Sequence, residues 1–146
     1  MLMTKISFVF ITCAAFAAGI IVHAMITPVA TVHAAGNRVF EMRTYTASPG
    51  KLDALNARFR DHTLKIFDKH GMKSIGYWVP QDPARKDNTL VYILAHESRE
   101  AATKSWAAFG ADPEWVKAKT ESEKDGRLAA KVESVFLDPT DYSPLK

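Results

Sequence analysis

Alternating apolar and polar residues predict four β-strands in the chain after residue 37. Successive side chains of a strand point to opposite faces, so a half-buried strand repeats its character every second residue. In the first segment, for example, Phe40 and Met42 alternate with Glu41 and Arg43. The predicted strands are Arg38–Thr46, Met72–Val79, Thr89–His96 and Ala130–Leu137.

A helix is predicted between the first two strands, because apolar residues there recur at three- and four-residue intervals. Ser48 can cap this helix. Pro49 suits the first helical position because proline lacks the N–H group that would be unpaired there. The helix is expected to end at His70–Gly71, where glycine can take the left-handed conformation that closes many helices.

A second helix is predicted between the last two strands. Ser98 can cap it, Gly110 interrupts it, and Asp112 followed by Pro113 restarts it with a capping residue and a proline at the first position. The order is therefore β-α-β-β-α-β, which predicts an α+β, ferredoxin-like sandwich.

The third and fourth predicted strands are apolar on both faces, whereas two helices cover only one face of a sheet. In the third strand, six apolar or aromatic residues alternate without a polar one: Leu90, Val91, Tyr92, Ile93, Leu94 and Ala95. A second copy of the sheet is the simplest cover for the other face, which predicts a homodimer. The alternative is that the C-terminal tail, residues 138–146, folds over that face.

The first 36 residues differ from the rest, with Lys5 as their only charge. Ile6–Val22 is an uncharged, mostly apolar run, and Val32 and Ala34 are small residues at the −3 and −1 positions of a cleavage site. The expectation is a signal peptide over 1–34, a single domain over 35–146, and export to a periplasmic or extracellular location. The alternative is an uncleaved membrane anchor over residues 6–26, the one case in which the protein would contact a membrane.

Composition narrows the function classes further. The chain has 19 Lys and Arg against 16 Asp and Glu, a net charge of +3, and the two signs are interspersed. No basic stripe suggests nucleic-acid binding. Cys13 is the single cysteine and lies in the leader segment, so the exported part offers neither disulfides nor a thiol nucleophile.

Three polar or aromatic residues on one face of the first strand are candidates for ligand binding: Glu41, Arg43 and Tyr45. If Phe40 and Met42 face the helices, this trio faces the opposite side, toward the interior of the expected dimer. Arg43 could then bind an anion or a carbonyl group in an apolar cavity. The alternative is a structural ion pair or a solvated strand face.

His96 ends the third strand on the same face as Tyr92 and is a candidate general base or haem ligand. The alternatives are a helix cap or a solvent-exposed side chain. His62 is a weaker haem-ligand candidate, and no group of residues has convincing metal-ligand spacing. Trp78 is a pocket candidate because Gly76 leaves space on its face, the alternative being core packing.

These residues, taken in order, resemble the NIPSNAP family. The motifs that carry the resemblance are Glu41-x-Arg43-x-Tyr45, Pro49-Gly50-Lys51, His70-Gly71, Gly76-x-Trp78, Asn88, Asp112-Pro113-x-Trp115, Leu137-x-Pro139 and Asp141-x-Ser143-Pro144. The resemblance implies a dimeric α/β barrel in which two ferredoxin-like units pair their sheets. The third strand departs from the family, since it ends Leu94-Ala95-His96 where many members carry a tryptophan.

The resemblance does not define a reaction, and three hypotheses follow. The first is an exported homodimer that binds a small, mostly apolar ligand or a partner protein without a cofactor. The second is a cofactor-independent monooxygenase- or isomerase-like enzyme with a pocket between helices and sheet. Its candidate catalytic residues are His96, Arg43, Glu41 and Tyr92, and the ligand-binding candidates are Arg43, Tyr45, Trp78, Tyr92 and His96. The third is a haem-binding protein that uses His96 or His62.

Overall fold

The computed structural model describes residues 38–146, which form one four-stranded antiparallel sheet with helices packed on one face. The signal peptide and anchor predictions concern residues outside this range. Among the described residues, none of the helices has the length and apolar character needed to cross a bilayer. The strands are β1 (Val39–Ala47), β2 (Lys73–Trp78), β3 (Thr89–His96) and β4 (Ala129–Leu137).

The sheet has the order β2-β3-β1-β4, so the first strand lies in the middle between β3 and β4. The helical segments of the domain are α1 (Leu52–Arg58), a π-helical turn (Phe59–Thr63), α2 (Leu64–Lys69), α3 (Arg99–Ala111) and α4 (Pro113–Ser122). This arrangement confirms the predicted α+β, ferredoxin-like fold.

Local signals in the sequence explain where most helices begin and end. The Ser98 hydroxyl accepts from the Ala101 N–H at 3.1 Å, and the Asp112 carboxylate accepts from the Glu114 N–H at 2.8 Å, which confirms both predicted caps. Gly71 has a φ of +71° after the end of α2, as predicted for a closing glycine.

The predicted start of the first helix is wrong. Helix α1 begins at Leu52, and the preceding residues form a turn in which the Lys51 N–H donates to the Ser48 carbonyl at 2.9 Å. Gly50 takes a φ of +68° in this turn, a conformation that bulkier residues adopt at a cost. Pro49 therefore belongs to the turn and not to the helix.

The core lies between the sheet and the helices and is rich in aromatic rings. Tyr92 is fully buried at its centre, and its ring centroid lies 5.2 Å from that of Phe59 and 6.0 Å from that of Phe67. Phe67 also contacts Phe109 and Trp106 on α3, at 4.9 and 5.4 Å. These contacts fix the helices over β1 and β3.

The register of the strands defines the two faces of the sheet. We use "helix-side face" for the rows Leu94–Glu41–Phe136, Tyr92–Arg43–Ser134 and Leu90–Tyr45–Val132. We use "outer face" for the rows Ala95–Phe40–Leu137, Ile93–Met42–Val135 and Val91–Thr44–Glu133.

The two outer-face rows that contain Phe40 and Met42 are apolar, as predicted, and the C-terminal tail covers only one corner of this area. Phe40 is 7% exposed and, with Ile93 and Leu137, shares a cavity of about 280 Å³ with tail residues 138–145. Beyond this corner Val135 remains 49% exposed. The tail thus accounts for part of the apolar face and leaves the rest uncovered within the described chain.

Candidate functional site

A buried carboxylate organises the centre of the helix-side face. Glu41 on β1 is 1% exposed and accepts four hydrogen bonds. Its Oε1 accepts from Arg43 Nε at 2.7 Å and from Ser134 Oγ at 2.6 Å. Its Oε2 accepts from Trp106 Nε1 at 2.6 Å and from His96 Nε2 at 3.1 Å. The carboxylate therefore joins β1, β3, β4 and α3.

These donors decide the charge of Glu41. Burial alone would raise its pKa, but the hydrogen bonds from His96, Ser134, Arg43 and Trp106 outweigh burial and lower the pKa from 4.5 to about 2. Glu41 is thus ionised at neutral pH. An ionised carboxylate only accepts hydrogen bonds, so the proton of the His96 contact lies on Nε2.

Arg43 is held on two sides. Its guanidinium carbon lies 3.6 Å from the centroid of the Trp106 ring, a cation–π contact, while its Nε bonds to Glu41. On the neighbouring strand the Tyr92 hydroxyl donates to the Tyr45 hydroxyl at 3.2 Å. Burial raises the pKa of Tyr92 well above 10, so this phenol stays neutral.

The predicted orientation of the first strand is wrong. Glu41, Arg43 and Tyr45 point toward the helices, and Phe40 and Met42 point to the outer face. The five candidates Glu41, Arg43, Tyr45, Tyr92 and His96 therefore share the helix-side face, next to the core. Together they form a partly buried Glu41–Arg43 ion pair whose carboxylate also accepts hydrogen bonds from neighbouring side chains.

His96 is neither a helix cap nor solvent-exposed, contrary to both alternative predictions. Its side chain is 1% exposed, and its Nδ1 is a buried atom without a hydrogen-bond partner among residues 38–146. A histidine oriented by a carboxylate through one ring nitrogen, with the other nitrogen free, is an arrangement suited to proton transfer. Sequence reasoning missed Trp106 and Ser134 as members of this cluster, because their proximity depends on helix packing and strand pairing.

Trp78 lies apart from this cluster, at an aromatic cleft between the first helical stretch and the end of β2. The cleft has a volume of about 290 Å³. Its lining residues are Asn56, Phe59, Arg60, Leu64, Tyr77, Trp78, Val79 and Leu90. Of the predicted ligand-binding residues, Trp78 alone lines it.

Gly76 positions the Trp78 ring, as the sequence suggested in part. A Cβ atom on Gly76 would lie 2.6 Å from Cη2 and Cζ2 of Trp78, which is shorter than the contact distance between non-bonded carbon atoms. The space that glycine leaves is therefore filled by the indole of Trp78 itself. Trp78 is 50% exposed, so it is a rim residue of the cleft and not a core residue.

His62 and His96, the two candidate haem ligands, lie in different surroundings. His62 is exposed and lines a cleft of about 410 Å³ among charged residues of the helices. Binding of His96 to iron through Nε2 would break its bond to Glu41. Within residues 38–146, no group of three or more His, Cys, Asp or Glu is placed to hold a metal ion.

The sequence was compared with models of known protein families and with curated proteins. The family model described as NIPSNAP matches residues 40–144. A search of curated proteins found no match.

Solved structures of the same family resemble the chain over nearly their whole length. A NIPSNAP family protein of unknown function from Agrobacterium tumefaciens is 25% identical, covers 76% of this chain and 96% of its own, and has a TM-score of 0.66. An uncharacterized NIPSNAP domain protein from Burkholderia xenovorans is 24% identical, with 73% and 98% covered and a TM-score of 0.62. A further A. tumefaciens NIPSNAP family protein is 21% identical, with 75% and 99% covered and a TM-score of 0.65.

Proposed function

Because this chain belongs to the NIPSNAP family, we propose that it acts as an exported homodimer that binds a small, mostly apolar molecule. The cleft at Trp78 carries this proposal. Three aromatic residues, Phe59, Tyr77 and Trp78, line it together with aliphatic ones. Mostly apolar linings with a few polar groups are typical of small-molecule sites.

The size and position of the cleft support a small ligand. Its volume of about 290 Å³ is near the lower limit of ligand pockets, which suits a molecule of about one or two rings. Phe59 at its base is 4% exposed and is fixed by edge-on contacts with Tyr45 and Tyr77. Phe59 therefore gives the cleft a rigid aromatic wall.

The test uses the neutral fluorescent probe N-phenyl-naphthylamine. We expect saturable binding to the wild-type protein and roughly tenfold weaker binding to Trp78→Ala, because the variant truncates an aromatic residue of the cleft lining. Tyr142→Ala is the matched control, since Tyr142 is an aromatic residue of the tail that is 85% exposed and lies outside the cleft. Equal affinity of Trp78→Ala and wild type would overturn the assignment of the cleft.

The homodimer is supported by the uncovered part of the outer face. Met42 and Ile93 are half-buried there, and Val135 and Leu137 are 49% and 38% exposed. These residues are neighbours across β3, β1 and β4, so they form one continuous apolar patch. A second copy of this face would bury it against an identical surface, as two-fold symmetry requires.

Two valines of equal exposure provide the test of the dimer. Val135 on the outer face is 49% exposed and Val116 on α4 is 51% exposed. We expect the wild type to be dimeric by native mass spectrometry, Val135→Glu to be monomeric because it places a charge in the interface, and Val116→Glu to remain dimeric. A monomeric wild type, or a dimeric Val135→Glu, would contradict the proposed interface.

Export is supported by the apolar run at Ile6–Val22 and the small residues before position 35. The mass of each protomer in the same experiment, on protein from its native host, reports whether residues 1–34 have been removed.

A second candidate function is an enzyme in which His96 moves a proton. The observation that favours it is the pairing of His96 Nε2 with ionised Glu41 while Nδ1 has no partner among the described residues. Arg43, on the same carboxylate, could stabilise a negative charge nearby. This function requires a substrate path to Nδ1, and neither the Trp78 cleft nor the tail cavity includes His96.

A further inference from the structure

We infer that the Trp78 cleft selects apolar molecules that carry one negative charge, and that Arg60 is the recognition group. This inference rests on the proposed ligand-binding function and specifies the chemical class of the ligand. Arg60 is the only charged residue in the lining of the cleft, which includes neither Asp nor Glu.

The first helical stretch places Arg60 at the cleft, since Arg60 lies four residues after Asn56 and four before Leu64, which line the same cleft. Leu64 N–H donates to the Phe59 carbonyl five residues earlier, which widens the helix by one residue. The Thr63 hydroxyl donates to the Arg58 carbonyl at 3.2 Å and so satisfies a backbone acceptor in the widened turn. The consecutive residues Phe59 and Arg60 both line the cleft, Phe59 as a buried residue and Arg60 as an exposed one.

Arg60 also differs from the two arginines that pack against the core. Arg43 pairs with Glu41 at 2.7 Å, and Arg58 pairs with Glu123 at 2.9 Å. Arg60 forms no ion pair within residues 38–146. Its guanidinium therefore offers unused donors at the edge of an aromatic surface.

A planar guanidinium binds a carboxylate through two parallel hydrogen bonds. Asn56, which lies four residues before Arg60 and lines the same cleft, adds an amide donor for the second oxygen or a polar substituent. The aromatic walls would hold the apolar body of the ligand. One anionic group per ligand fits because the lining supplies one cation.

The experiment compares naphthoate with its neutral isostere naphthamide as competitors of N-phenyl-naphthylamine. We expect naphthoate to bind the wild type about tenfold more tightly than naphthamide, because the exposed position of Arg60 limits what its hydrogen bonds to the carboxylate contribute. In Arg60→Gln this preference should disappear while the affinity for naphthamide is kept. Arg38→Gln is the control, because it removes an equal charge just before the start of β1, whereas Leu90 of the cleft pairs with Tyr45 near the strand's other end, and it should keep the tenfold preference.

The outcomes separate this inference from the proposed function. If neither competitor displaces the probe and the probe itself does not bind, the ligand-binding function fails and the inference fails with it. If both competitors bind the wild type equally, or if Arg60→Gln keeps the preference for naphthoate, the cleft binds apolar molecules and the role of Arg60 is overturned. A lost preference in Arg38→Gln would likewise overturn it, because the effect would then come from net charge alone.

Discussion

Replacing Glu41 with alanine is expected to lower the free energy of unfolding by about 3–5 kcal/mol, the usual cost of removing one partner from a buried ionic cluster. The variant leaves the Arg43 guanidinium without its anion. It also leaves the Trp106 N–H and the His96 Nε2–H without their acceptor in the interior. A cavity where the side chain stood adds to the loss.

The measurement is urea unfolding at neutral pH, followed by circular dichroism. Glu121→Ala is the matched control, because Glu121 lies on α4, away from both faces of the sheet, and among residues 38–146 its exposed side chain forms an ion pair only with exposed Lys124. We expect that control to stay within about 0.5 kcal/mol of wild type. A Glu41→Ala loss no larger than the control's would mean that the four hydrogen bonds do not stabilise the fold.

Local signals in the sequence predicted most of the fold. The Asp112-Pro113 pair combined a side-chain acceptor with a residue that needs no N–H partner, and the helix restarts there. Ser48-Pro49 offered the same combination, yet the helix begins three residues later at Leu52. The difference is Gly50, whose positive φ turns the chain before the helix can start.

The face of β1 could not be predicted from its own residues. Phe40 and Met42 are more apolar than Glu41 and Arg43, so the usual rule assigns them to the helix-packed side. The structure reverses this assignment because Glu41 is satisfied by donors from three other elements. Those donors come close to Glu41 only after the strands pair and α3 packs on the sheet. Their spacing in the sequence does not indicate this proximity.

The Trp78 cleft was equally hard to predict in full. Trp78 and Gly76 are two residues apart, so their shared face follows from strand geometry. Arg60 entered no sequence prediction, because an exposed arginine on a helix is ordinary and its place beside Tyr77 and Leu90 depends on how the helix packs on the sheet. The π-helical turn shifts the following residues by one position, and the sequence has no simple signal for such a turn.

Lowering the pH is expected to lower the free energy of unfolding of the wild-type domain through the Glu41 carboxylate. The pKa of Glu41 is about 2 in the folded state against an ordinary value of 4.5, so the folded state binds this proton less readily than the unfolded state. The corresponding stability is fully present above pH 4.5 and is lost as the pH falls from 4.5 toward 2. The expected loss from this one group is about 3 kcal/mol.

Comparison with Glu41→Gln isolates this contribution, because glutamine fills the same space but does not titrate. Other carboxylates with lowered pKa values, such as Asp112 beside Lys69 and Glu114 beside the same lysine, act equally in both proteins. We therefore expect Glu41→Gln to be less stable than wild type at neutral pH and the difference to shrink by about 3 kcal/mol by pH 2. Urea unfolding at several pH values measures both curves. If the two curves stay parallel throughout this range, the ionised, four-fold hydrogen-bonded state of Glu41 is not what stabilises the sheet against α3.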